Sequence, residues 1–120
     1  MTQSAKHQGG CHCGAVRFEV EIDPMEPAVT CNCSICSKTG TMLNFVSADD
    51  FALLAGQDML TDYQFNKKQL HHWFCSRCGV RSFAGGVGPT GKEMRAINVR
   101  CLDGIDVDAV PTRRWNGKDS

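Results

Sequence analysis

Seven of the eight cysteines in this 120-residue chain fall into three short runs, and those runs constrain the fold more than anything else in the sequence. The runs are Cys11-His12-Cys13, Cys31-Asn32-Cys33-Ser34-Ile35-Cys36 and Cys75-Ser76-Arg77-Cys78, while Cys101 stands apart. Thiols this close along a chain chelate a metal far more readily than they bridge distant segments. A disulfide framework would allow about 105 pairings and would need an oxidising compartment. Residues Met1 to Gly10 contain no apolar stretch, so they read as neither a secretory signal nor an anchor. No later window approaches transmembrane length. The expectation is a cytoplasmic, metal-binding protein without a membrane partner.

The spacing divides the ligands unequally. Cys11 and Cys13, read as an extended segment, present two thiolates to one face. Cys75 and Cys78, followed by Gly79, suit a tight knuckle in which the glycine takes a left-handed conformation. A tetrahedral zinc needs four ligands, and these two distant pairs supply them in a closed, structural arrangement. Cys31, Cys33 and Cys36 supply three, which leaves an open position of the kind found at catalytic zinc. Three thiolates outweigh the charge of the ion, so such a site acidifies water poorly and favours another sulfur as its fourth ligand. The competing reading is a second structural zinc completed by Cys101 or by a histidine. Cys101 reads as a small buried apolar residue, and His12, His71 and His72 as surface or supporting groups.

Zinc has a physical reason to be here, because a single domain of this size buries only a modest core. Lys+Arg and Asp+Glu are both 13, so there is no basic excess to attract nucleic acid. Val16, Phe18, Val20 and Ile22 alternate with charged residues, the pattern of a half-buried strand. Further strands are expected at 28–31, 42–46, 60–65, 71–74 and 94–99. Ser47 reads as the cap of a short helix running through Phe51 to Leu54 and stopped by Gly56. The glycines around Pro89 read as a mobile loop, and Asp103-Gly104 as a turn. The organisation expected is a flexible N-terminus over 1–8, a zinc-binding domain over 9–110 and a polar C-terminal tail over 111–120. The fold class is mainly β.

Three motifs occur together in order. Gly9-Gly10-Cys11-His12-Cys13-Gly14-Ala15-Val16-Arg17-Phe18 resembles the opening motif of the glutathione-dependent formaldehyde-activating enzyme family, also called the centromere protein V family. Cys31-Asn32-Cys33-Ser34-Ile35-Cys36 and Phe74-Cys75-Ser76-Arg77-Cys78-Gly79 resemble its second and third. The resemblance covers about Gly9 to Asp106. It implies an Mss4-like, mostly antiparallel, zinc-stapled β fold. It also implies a structural ion at Cys11, Cys13, Cys75 and Cys78, and a catalytic-type ion at Cys31, Cys33 and Cys36 near which glutathione binds.

The function expected is that of a carbon–sulfur lyase-type enzyme, zinc-dependent, acting on the adduct of glutathione or a similar small thiol with an aldehyde. Lys38, Arg77 and Arg81 could meet glutathione carboxylates, but each reads first as a solvated surface charge and none is counted as a site residue. Two alternatives remain: a non-catalytic zinc-stabilised binding module, and a thiol/zinc redox sensor.

Overall fold

A computed structural model of the chain describes residues 4–64, 70–88 and 90–116. Among these, ten strands make two sheets. Strands β1 (Ala5–Gly10), β2 (Arg17–Ile22) and β5 (Phe51–Ala55) form a three-stranded antiparallel sheet in the order β1-β2-β5. The larger sheet contains β3 (Ala28–Cys31), β4 (Leu43–Ser47), β6 (Leu60–Tyr63), β7 (His71–Cys75), β8 (Phe83–Val87), β9 (Glu93–Asn98) and β10 (Thr112–Trp115). Its order is β10-β3-β4-β9-β8-β7-β6, and it is antiparallel throughout except for the β10–β3 pair. One α-helical turn, α1 (Cys36–Thr39), lies between β3 and β4. The mainly β expectation is met.

The alternation read from β2 places its apolar side chains between the sheets. Val16, Phe18, Val20 and Ile22 are buried against Phe83, Ile97, Val99 and Leu102. The aromatic centre is continuous. Phe18 stacks on Phe51 with centroids 5.5 Å apart, Phe51 meets Phe83 at 4.6 Å, and Trp73 meets Phe83 at 5.3 Å.

Four segments depart from the sequence reading. Ser47 does cap a helical turn, accepting a hydrogen bond from the Asp49 backbone at 3.3 Å, but the turn ends after Ala48–Asp50 and is 3₁₀. Phe51–Ala55 is then a strand rather than a helix, with Phe51 opposite Val20 and Leu53 opposite Phe18. The pull of the core on Phe51 and Leu53 outweighs the helix propensity of the run. Gly85 and Gly86, read as part of a mobile loop around Pro89, lie instead in β8. A Cβ at Gly85 would stand 2.7 Å from the Trp73 ring, so glycine there admits the indole against the backbone.

The folded unit also extends beyond 9–110 at both ends. Ala5–Gly10, most of it assigned to a flexible N-terminus, pairs along its whole length with β2. Thr112–Trp115, assigned to a polar tail, pairs in parallel with β3. Both lie at sheet edges, where polar side chains meet water on both faces and period-two patterning disappears. Phe65, Pro89 and the final residues of the tail lie outside the described residues.

Phe18 is fully buried at the contact of the two sheets. Phe18→Ala is expected to destabilise the metal-loaded protein by about 3–5 kcal/mol, read as a lower urea midpoint at unchanged slope.

Candidate metal centres and the adjoining cleft

The first centre is built from two backbone turns. Cys11–Gly14 is a turn rather than the extended segment expected, closed by a hydrogen bond from the Gly14 N–H to the Cys11 carbonyl at 3.3 Å. This turn, not strand alternation, brings Cys13 back beside Cys11, with the sulfurs 3.6 Å apart. Cys75–Cys78 forms the expected knuckle, with Gly79 left-handed at φ +80° and its N–H donating to the Cys75 carbonyl at 2.8 Å. The Val16 N–H donates to the Cys11 sulfur at 3.3 Å and the Arg77 N–H to the Cys75 sulfur at 3.4 Å.

Cys13 and Cys75 bring their sulfurs to 3.7 Å, and all four sulfurs lie within 4.8 Å of one another. Zinc–sulfur bonds of about 2.3 Å put the edges of a thiolate tetrahedron at about 3.8 Å. The set therefore fits one such ion. Backbone hydrogen bonds from Cys13 and Val80 pull the Cys78 thiol down to about 6.

The second centre follows β3. Cys31 closes the strand, Cys33 lies in the turn after it, and Cys36 opens α1. The Cys33 N–H donates to the Cys31 sulfur at 3.4 Å, and the three sulfurs lie within 4.8 Å of one another. Gly40, left-handed at φ +68°, closes α1 by donating to the Cys36 carbonyl at 3.0 Å. Burial pushes the Cys36 thiol up to about 12, helped by neighbouring Cys33 and Cys31. Burial also opposes the Cys33 thiolate, but hydrogen bonds from the Cys36 backbone and thiol outweigh it and hold Cys33 below the ordinary thiol range. A metal binding here therefore displaces protons from the remaining thiols.

The candidate fourth ligands lie elsewhere. Among the described residues, no further Cys, His, Asp or Glu joins the trio within 4.8 Å. Cys101 ends a 3₁₀ turn, is half-buried, and directs its thiol at the Arg81 carbonyl 3.8 Å away. His12 is exposed. His71 and His72 take opposite faces of β7, as strand alternation requires. His71 stacks on Trp73 at 5.0 Å and pairs with Asp62 at 2.6 Å, whereas His72 faces the cleft described next.

The three-cysteine centre opens onto a cleft of about 790 Å³ over the outer face of the larger sheet. Arg81 lines it. The guanidinium donates to the His72 carbonyl at 3.3 Å and lies over the rings of Phe74, 5.3 Å away, and Tyr63, 5.9 Å away. Lys38 and Arg77 are exposed outside the cleft lining. Residues not singled out from sequence complete the site. Asn32 donates through its side chain to Asn116 at 2.8 Å and through its backbone to the Trp115 carbonyl at 3.3 Å. These bonds fasten β10 against the cysteine turn. The available signal was a tryptophan inside an otherwise polar tail.

Known proteins share the chain's sequence pattern and its fold. The family model described as glutathione-dependent formaldehyde-activating enzyme matches residues 6–115. A curated protein of Halomonas elongata, provisionally named for the same enzyme, is 38% identical over 79 residues, which is 59% of this chain and 50% of that protein. Mouse zinc finger MYM-type protein 3 is 34% identical over 85 residues, 64% of this chain and 6% of that protein. The chain thus spans half or less of these curated relatives. A crystal structure of a Rhodobacter sphaeroides protein superposes with a TM-score of 0.77 at 33% identity, covering 88% of this chain and 99% of that one. The chain belongs to the glutathione-dependent formaldehyde-activating enzyme family.

Proposed function

We propose that the protein is a zinc-dependent carbon–sulfur lyase-type enzyme acting on the adduct of glutathione, or a similar thiol, with an aldehyde. The observation that carries this reading is the trio Cys31, Cys33 and Cys36 at the head of a cleft, with no fourth protein ligand beside it among the described residues. The family description points to the same pair of reactants.

Zinc held by these three residues would supply a soft Lewis-acid position suited to a sulfur ligand. A second zinc, at Cys11, Cys13, Cys75 and Cys78, would serve the fold alone. In the synthetic direction the thiol sulfur forms a bond to the carbonyl carbon, the C=O π bond opens, and the thiol proton ends on the new hydroxyl oxygen. Lysis is the reverse, and neither direction changes an oxidation state. The chain's part is positional. Arg81 is held by aromatic rings and a backbone carbonyl, where it can pair with one substrate carboxylate. The apolar cleft displaces water from the reacting groups. Clustered thiols of this kind persist in a reducing compartment, which supports a cytoplasmic location.

Elemental analysis of the purified protein is expected to give two zinc ions per chain. Cys33→Ser is expected to bring this to one, leave the fold intact by circular dichroism, and abolish accelerated exchange between free glutathione and its aldehyde adduct in exchange NMR. Unchanged exchange rates in that variant would refute the proposal. Cys75→Ser should behave differently, losing cooperative thermal unfolding along with its metal.

A further inference from the structure

The cleft has a character that a one-carbon aldehyde does not call for. Phe45, Leu70 and Trp115 are large apolar side chains, each more than half exposed, and all three line it. Apolar side chains left in water this way are common singly, but their convergence on one concavity marks a binding surface.

Strand register explains the shape. Phe45, Ala96, Ala84 and His72 are direct cross-strand neighbours on β4, β9, β8 and β7, so they share one face of the sheet. Two methyl groups form the floor, with larger side chains rising on either side. At the cysteine end Trp115 lies in register with Cys31 and also faces the cleft. The trough therefore begins at the three-cysteine centre and continues between aromatic and aliphatic walls.

Glutathione does not account for those walls. Its body carries two carboxylates and an ammonium, which gain nothing from burial against Phe45, Leu70 or Trp115. Among the described lining residues Arg81 bears the one fixed charge, which suits a single carboxylate. Formaldehyde would leave most of the space about it to water.

We infer that the trough holds an apolar substituent, of phenyl or branched-alkyl size, on the carbon component of the adduct, so that the carbonyl compound is larger than formaldehyde. The inference rests on the thiol–carbonyl reading above. The bond changes are those already given: the sulfur adds to, or leaves, a carbonyl carbon that now bears the substituent.

Two measurements separate this inference from the reading beneath it. The zinc-loaded protein is titrated calorimetrically with S-benzylglutathione and with S-methylglutathione, stable analogues that differ only in the group meant for the trough. The benzyl compound is expected to bind at least about tenfold more tightly. Phe45→Ser should remove most of that preference, and Phe45 is exposed enough for the change to leave the fold intact. Ala84→Leu, which raises the floor, should do the same by a different route. Separately, the cobalt-substituted protein is titrated with glutathione and its visible spectrum followed. A spectrum that glutathione leaves unchanged removes the thiol reading and this inference with it. A cobalt response combined with equal binding of the two thioethers overturns the apolar subsite alone. A benzyl preference that survives both substitutions overturns it as well, because the group must then lie elsewhere.

Discussion

Four sulfur atoms within 4.8 Å of one another cannot all be thiolates without a cation among them. Each pair of unit charges near 4 Å repels by about 4 kcal/mol at the effective dielectric of a protein surface. A divalent metal bound there would turn that repulsion into a bond between the two sheets. The first two ligands follow the end of β1, in the smaller sheet, and the other two lie at and just beyond the end of β7, in the larger. The cluster is thus where the two sheets are joined. The aromatic contacts of Phe18, Phe51, Phe83 and Trp73 lie in the space between those sheets.

On the proposed reading, this division would free the second cysteine run from structural duty. It belongs to the turn after β3, next to the sheet's edge strand β10, and its sulfurs are reached from a cleft rather than enclosed by a second pair of ligands. The two runs use the same backbone device, an N–H donated to a cysteine sulfur and a left-handed glycine closing the turn. They differ in what the rest of the fold brings to them. The first run meets its partner across the domain, while the second meets a concave apolar surface.

What the sequence made legible was whatever is local. Ligand spacing is a property of a few consecutive residues, so both sulfur clusters and the Gly79 knuckle could be read directly. The alternation of β2 was equally plain because one of its faces is buried. The edge strands β1 and β10 carry no such pattern, and β8 disguises itself as a loop because Trp73 requires a glycine opposite. Phe51–Ala55 misleads for another reason: its serine cap is real, but the turn it caps ends before the segment begins. The cleft was the least legible part. Phe45, Ala84, Ala96 and Trp115 become neighbours only through the register of strands distant in sequence, and nothing in their own surroundings announces the pairing. Arg81 was visible as a charge, but its selection over Lys38 and Arg77 required the fold.

The parallel pairing of β10 with β3 also has a practical side. Asn116 is hydrogen-bonded to Asn32, between two of the second centre's cysteines, so the chain leaves the described structure at the rim of the cleft. A histidine tag appended after Asn116 would carry imidazoles within reach of the three-cysteine centre, where they would compete for any metal bound there. An affinity handle placed ahead of β1 would leave from the opposite sheet. For this fold, the choice of terminus in preparing the protein is a choice about the chemistry of the site.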